Sequence, residues 1–318
     1  MGQVVKTELV AARADKLFYY SPYNFLRKLP VEKQQRLFGT GLAEQYAAAA
    51  THSVFEVTCE GSAVQFLYAF LPWDTAFFKA PVYKLFTLLF AENMPDTALA
   101  STVQAFLQHL KQKGAAYCFV EVPAEDTQVT QALGAASWRL VETRLTYFQD
   151  AVHLFDQPRY HVRSARLEEA TAIGLISATA RNEYDRFHAD PWFADGLGDQ
   201  FLTRYASAAV EGYCDDVLVP DVPGLPVDSF LAISDLQLDS LNLGISLSRV
   251  MLTAVGPANR GWHLKLVSET VHRARQNGAD YVLMTTQATN RAVLRTCEKL
   301  NFKLGYCTHI LAHSLLSY

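Results

Sequence analysis

A turn between a strand and a helix carries the residues best suited to chemistry. The apolar residues 252–255 are followed by Pro257, Arg260 and Gly261, where a helical pattern begins. Amide groups in the first turn of a helix lack partners inside the helix, and the helix dipole favours negative charge beside them. Such a turn, next to a guanidinium, suits a pyrophosphate. We predict an anion-binding turn built by Arg260, Gly261, Trp262, His263, Leu264 and Lys265.

The elements around this turn follow from spacing. Leu264, Val267, Val271 and Ala274 recur every three or four residues and form one buried stripe, and Gly278 ends that helix. A strand over 281–285 then leads to a second helix with Asn290 as its N-cap. Before the turn, a strand over 242–255 is predicted, bent at Gly244.

These residues resemble the acyl-CoA-binding half of the GNAT family of N-acyltransferases. The family pattern is a strand, V-x-P-x-x-R-G-x-G-x-G/A, and later N-x-x-A-x-x-x-Y-E-K-x-G-F. The matching positions are Val255, Pro257, Arg260, Gly261, Asn290, Glu298, Lys299 and Phe302. His263 and Lys265 replace glycines, Cys297 replaces the tyrosine, and Asn301 replaces a glycine.

The resemblance implies how an acyl-CoA would bind. Pyrophosphate would rest on the backbone of 260–265, where His263 donates its own N–H with its side chain turned away and Lys265 adds a contact. Alternatively, His263 fills the pocket and abolishes binding. The resemblance also implies that pantetheine lies along the strand and that a backbone N–H there, within Thr253, Ala254 and Val255, is the oxyanion donor. Asn290, the predicted helix cap, would add a further contact to the cofactor.

Cys297 stands where the family tyrosine gives its proton to the leaving thiolate. A thiol has an ordinary pKa near 8.5, so it is a chemically possible acid, but it is shorter than a tyrosine. The alternative is a small core residue, with Tyr306, water or no acid in that role. We name Cys297 and His188 as the catalytic candidates.

A second segment, R-F-H-A-D-P at 186–191, resembles one found in the sugar-nucleotide amine N-acetyltransferases of the same superfamily, such as those acting on dTDP-fucosamine. It implies that Arg186 pairs with a nucleotide phosphate and that His188 or Asp190 binds the amino sugar or acts as base. Asp190 before Pro191 is equally consistent with a structural turn. Gln287 completes the predicted substrate residues.

Composition narrows the class of protein. The 318 residues are 50% hydrophobic and carry a formal net charge of −4, which argues against a nucleic-acid partner. Neither a membrane span nor a signal peptide is expected, and five dispersed cysteines indicate free thiols in a reducing cytoplasm. No metal-ligand spacing occurs, so we expect no metal.

An internal repeat sets the domain organisation. Gly114 and Tyr117 precede Gly278 and Tyr281 by the same 164 residues, and an aromatic residue follows each glycine by 24 (Trp138, Phe302). The first copy has Asp96 where the second has Arg260, and a carboxylate repels pyrophosphate. We predict an α/β (α+β) fold of tandem GNAT-like domains, 1–155 without a donor site and 156–318 with one, each a mostly antiparallel twisted sheet flanked by helices.

The expected function is a cytoplasmic N-acetyltransferase. It would use acetyl-CoA or another acyl-CoA as co-substrate and a small-molecule amine, as found on a nucleotide-linked amino sugar, by direct attack on the thioester. Two alternatives stand: a GNAT-like binding protein without turnover, and an enzyme whose donor is an acyl carrier protein, for which the basic residues Arg260, Lys265, Arg291 and Arg295 are suited. The chain is expected to be a monomer or a homodimer.

Overall fold

The computed structural model describes residues 4–180, 182–193 and 196–315. Within them the strands are β1 His52–Cys59, β2 Ser62–Phe70, β3 Val82–Leu89, β4 Tyr117–Pro123, β5 Arg139–Gln149, β6 Val162–Ser164, β7 Asp216–Pro220, β8 Ser229–Asp235, β9 Leu247–Val255, β10 Tyr281–Gln287 and β11 Lys303–Ser314.

The helices fall into a set before residue 144 and a set after it. They are α1 Thr7–Ala12, α2 Ala14–Leu17, α3 Val31–Gln35, α4 Leu42–Ala48, α5 Pro72–Phe78, α6 Asp96–Gln112 and α7 Thr127–Ala135, then α8 Ala170–Thr179, α9 Arg186–Ala189, α10 Leu197–Ala208, α11 Gln237–Leu243, α12 Trp262–Gln276 and α13 Arg291–Lys299. No helix in these described ranges is long and apolar enough to cross a membrane.

The chain forms two compact units that a single cut does not separate. Unit 1 comprises residues 1–143 and 306–318, and unit 2 comprises residues 144–305. The last strand belongs largely to unit 1 because residues 308–314 pair with β4, while the second half of β5 belongs to unit 2 because it pairs with β10. The predicted division between residues 155 and 156 is therefore replaced by a discontinuous first unit.

Unit 1 has a sheet in the order β1-β2-β3-β4-β11, antiparallel except for β3 with β4. Helices α6 and α7 cover one face, where Leu99, Phe106 and Leu133 are fully buried against the strands. The apolar stripe of α6 accounts for this packing. The N-terminal helices bury Leu9, Leu17 and neighbouring apolar residues against β2 and β3 in a separate core.

Unit 2 has a sheet in the order β5-β10-β9-β8-β7-β6, antiparallel except for β10 with β9. Helices α12 and α13 pack on one face over Val250, Met284 and Leu231. Helices α8 and α10 pack on the other face, where Phe230 and Ala232 are buried. The predicted fold class of mostly antiparallel sheets flanked by helices is confirmed.

The internal repeat is visible in the strand registers. In unit 1 the parallel β3–β4 ladder ends at the pair Leu85–Val120, and β3 has a bulge at Phe86. In unit 2 the parallel β9–β10 ladder ends at the pair Val250–Met284, and β9 has a bulge at Met251. A bulge re-aims a strand and ends pairing. We call each place where two parallel strands part a fork.

One predicted strand is wrong in its first half. Residues 242–255 were expected to be extended, but Leu243 ends α11 and Gly244 adopts φ 71°, so that β9 begins only at Leu247. A left-handed glycine terminates a helix, and this is the conformation that Gly244 supplies. The bend expected at Gly244 occurs instead as the bulge at Met251.

Candidate functional site

The fork of unit 2 leaves one edge of β9 without a strand partner. Beyond Val250 the described residues of β9 pair only with β8, from Leu252 to Val255, while β10 pairs with β5 as far as Gln287. Backbone groups on an unpaired edge are free to bind an extended ligand as another strand would. Thr253, Ala254 and Val255, predicted to contact the pantetheine arm, lie on this stretch, although the Thr253 hydroxyl donates to the Phe230 carbonyl at 2.9 Å.

The predicted anion-binding turn follows directly. Gly261 has φ 90° and precedes α12, whose first amides donate to no capping side chain. Arg260 is exposed at this turn. A Cβ on Gly256 would overlap the carboxylate of Asp228, which accepts from the Ala258 amide at 2.7 Å. The turn thus presents backbone amides that no side chain caps and the exposed guanidinium of Arg260. The Asp228 carboxylate lies against the residues that begin the turn.

His263 is turned toward the neighbouring helix. Its Nδ1 lies 2.9 Å from Oγ1 of Thr296, whose hydroxyl donates to the Ala292 carbonyl at 3.2 Å. Because that hydroxyl proton is used, we assign the ring proton to Nδ1. Nε2 is then a buried acceptor with no partner among the described residues. Burial lowers the pKa of His263 to about 4, so the ring is neutral at physiological pH.

The other residues of the turn have local structural roles. Trp262 and Leu264 pack in or against the core of unit 2. The Lys265 ammonium lies 4.4 Å from the ring centroid of Trp262 and 5.6 Å from that of Tyr160. This cation–π position holds Lys265 on aromatic rings. Asn290 caps α13 as predicted, because its side chain accepts from the Val293 amide at 3.3 Å.

Cys297 lies in the core of unit 2 and is fully buried. Burial raises the pKa of its thiol to about 12. It belongs to the same cluster as Val293 of α13 and Leu300 just after that helix, which is the packing expected of a small apolar residue. The arrangement favours the core alternative over the acid. Tyr306, the other acid considered, stacks on Phe25 in unit 1 with ring centroids 5.5 Å apart.

The R-F-H-A-D-P segment uses its polar side chains internally. Each ring nitrogen of His188 faces a carboxylate, Asp185 at 2.7 Å and Asp199 at 3.1 Å. Both ring nitrogens are thus engaged by carboxylates, and His188 links α9 to α10. The buried Arg186 lies over the Phe187 ring at 4.6 Å.

Asp190 and Gln287 also have partners within unit 2. Asp190 is 2% exposed and accepts from the Trp192 amide at 3.1 Å, as in a turn. Gln287, at the end of β10, accepts from the Asn182 side chain at 3.0 Å. The structure therefore brings Gln287 and the segment after α8 together, but it does not present Arg186 or Asp190 to solvent. Among the described residues, no group of His, Cys, Asp and Glu could hold a metal ion.

The fork of unit 1 is filled by the chain itself. Arg13 forms a buried ion pair with Asp126, three residues after the end of β4. The Tyr20 hydroxyl donates to Asp126 at 2.8 Å, and its ring lies 5.4 Å from that of Phe86, the bulged residue. The Arg13 guanidinium also covers the Phe90 ring at 4.3 Å. These side chains therefore lie beside the bulge of β3 and the residues that follow it.

Tyr147 is a candidate that the sequence reasoning missed. It lies on β5 opposite Met284, and Met284 lies opposite Val250, the last pair before the fork. Directly opposed residues share a face of a sheet, so all three face α12 and α13. Burial, then the neighbouring Cys297 and Glu298, raise the pKa of Tyr147. The sequence carried no signal for it, because its position depends on strand register.

Comparison with known proteins supports this architecture. No protein-family model and no curated protein matches the sequence. Among solved structures, the chain is similar to a GCN5-related N-acetyltransferase from Sphaerobacter thermophilus at 9% identity, with 100% of this chain and 96% of that chain covered and a TM-score of 0.55.

Two further structures have a similar fold. One is described as a GCN5-related glucosamine N-acetyltransferase region of a fungal multi-domain GH3 β-N-acetylglucosaminidase, at 12% identity, 98% and 38% coverage and a TM-score of 0.57. The other is a functionally unknown conserved protein from Staphylococcus epidermidis ATCC 12228, at 12% identity, 82% and 94% coverage and a TM-score of 0.52. At these identities the likeness concerns the fold alone, and that fold is the one found in GCN5-related N-acetyltransferases.

Proposed function

We propose that unit 2 is an acyl-CoA-dependent N-acyltransferase that acetylates a primary amine. The observation that carries the proposal is the fork, where an unpaired edge of β9 leads into a helix start with open amides beside Arg260. The edge suits the amide-containing pantetheine arm, and the turn suits its diphosphate. Unit 1 contributes no second donor site, since Arg13 and Tyr20 occupy its fork.

The acceptor we propose is a small amine of the amino-sugar class. One similar fold belongs to a glucosamine N-acetyltransferase region, and Gln287 and Asn182 place amide groups at the end of β10. Amide side chains suit the hydroxyl groups of a sugar because they donate and accept. Arg186, His188 and Asp190 are engaged elsewhere, so they position this region and do not bind the substrate directly.

Calorimetry with CoA and acetyl-CoA tests the donor. We expect saturable binding by the wild-type chain, and at least about a tenfold loss in R260A because a charge-assisted contact to phosphate is removed. R204A, which removes an exposed arginine of the same unit, is the matched control and is expected to bind normally. Absence of heat and of any rise in Tm up to millimolar CoA would remove the proposal.

A non-catalytic binding protein is the second candidate, favoured by the His263 ring at the turn and by the buried Cys297. A panel of amino sugars and aliphatic amines, with release of free CoA thiol as the readout, separates the two. Binding of CoA without thiol release on any amine would support the second candidate. An acyl carrier protein as donor remains a third proposal, resting on the exposed Arg260, Arg291 and Arg295, and requires activity with acyl carrier substrates alone.

A further inference from the structure

Acyl transfer at the fork needs a proton for the leaving sulfur. The amine nitrogen attacks the thioester carbon, the carbon–sulfur bond breaks, and the sulfur leaves with its electron pair. The amine loses one proton and the sulfur gains one, so the transfer is balanced without an oxidant or a covalent enzyme intermediate. A positioned acid accelerates the bond-breaking step.

The position that carries this acid in the resembling family is filled by Cys297, which is buried in the core. Cysteine is much shorter than tyrosine, and Cys297 lies near enough to Tyr147 to raise the pKa of that phenol. Tyr147 packs against the same core cluster while remaining partly exposed. Its ring comes from a neighbouring strand and not from α13.

The register places Tyr147 at the level of the fork. Tyr147, Met284 and Val250 form one row across β5, β10 and β9, and this row is the last before β9 and β10 part. Because the row lies on the face covered by α12 and α13, the phenol is on the same side of the sheet as the first turn of α12. Thr146 faces the opposite side, where its hydroxyl bonds that of Thr285 at 2.9 Å.

We infer that Tyr147 is the catalytic acid of the proposed acyl transfer, donating its phenolic proton to the sulfur of the leaving CoA and recovering it from the proton that the amine releases to water. The inference rests on the proposed function. Tyr147, on β5, would thus fill the role of acid that Cys297, buried on α13, does not fill here. Burial, and after it the neighbouring Cys297 and Glu298, raise the pKa of this phenol, which therefore carries its proton at neutral pH.

The test compares Y147F with wild type and with Y281F, the same change at a buried tyrosine at the other end of β10. We expect kcat to fall at least about tenfold in Y147F with KM unchanged, and the alkaline fall of kcat to disappear. Y281F should keep wild-type kcat. A Tm within a few degrees of wild type shows that Y147F is folded.

Binding supplies a readout independent of turnover. At alkaline pH, wild type should prefer CoA over desulfo-CoA, and this preference should shrink about tenfold in Y147F because the bond to sulfur is lost. Unchanged kcat and unchanged preference would overturn the role of Tyr147 while the proposed function stands. If the wild-type chain binds neither ligand, both proposals fall.

Discussion

Nδ1 of His263 lies 2.9 Å from Oγ1 of Thr296 and joins the first turn of α12 to α13. These two helices follow β9 and β10, the strands that part at the fork. The contact therefore lies between the two elements that flank the proposed donor site. An imidazole thus stands where a glycine would leave bare backbone.

The neutral state of His263 predicts a pH dependence of stability. Its folded pKa of about 4 is below the ordinary value of 6.5, so the unfolded chain binds more protons between these values. The stability associated with the neutral ring is fully present above about pH 6.5 and is lost as pH falls toward 4. Urea unfolding at pH 7 and pH 5 should show a smaller loss in H263Q than in wild type. An equal loss in both proteins would contradict the buried neutral ring.

Removing the imidazole should open the turn to phosphate. Phosphate oxygens approach the main chain closely only where no side chain intervenes. We expect H263G to bind CoA at least about tenfold more tightly than wild type, equivalent to about 1.4 kcal/mol. T296V is the matched control, because it removes the hydrogen bond but leaves the ring, and it should change affinity less. Equal or weaker binding by H263G would show that the ring lies outside the path of the ligand.

The ion pair of Arg13 with Asp126 should stabilise unit 1 strongly. Both side chains are buried, with side-chain exposures of 5% and 0%. Removing one partner of a buried pair leaves an uncompensated charge, and such changes cost about 3–5 kcal/mol. We expect R13A to lower the free energy of unfolding by this amount in urea titrations. K16A, which removes only an exposed bond to the Glu125 carbonyl, should cost less than about 0.5 kcal/mol.

The cap at Asn290 should matter for both stability and donor binding. Its side chain satisfies the Val293 amide, and loss of an N-cap costs about 0.5–2 kcal/mol. N290A should therefore lower Tm by several degrees and weaken CoA binding through fraying of α13. Q276A, at an exposed site on α12, provides the comparison and should be silent in both measurements. If N290A bound CoA with normal affinity, the cap would not contribute to the donor site.

Local sequence signals were sufficient for the elements around the turn. Gly278 adopts the left-handed conformation expected at a helix end, and Asn290 caps α13. These outcomes depend on a few neighbouring residues, so the sequence is enough to predict them. The strand before the turn was predicted with the right end but the wrong beginning, because Gly244 ends a helix that the apolar pattern of 242–255 concealed.

The amino-acid sequence by itself determined the order of elements and the internal repeat, since both arise from periodicity and from capping or turn residues, and its resemblance to the GNAT family implied the fold class. Only the tertiary structure decided that Cys297 is buried, that His263 contacts Thr296, that Arg13 and Tyr20 fill the first fork, and that Tyr147 lies level with the second. These relationships join residues from about 30 to over 130 positions apart. They follow from strand register and helix packing, which set side-chain neighbours across elements and leave no mark in local spacing.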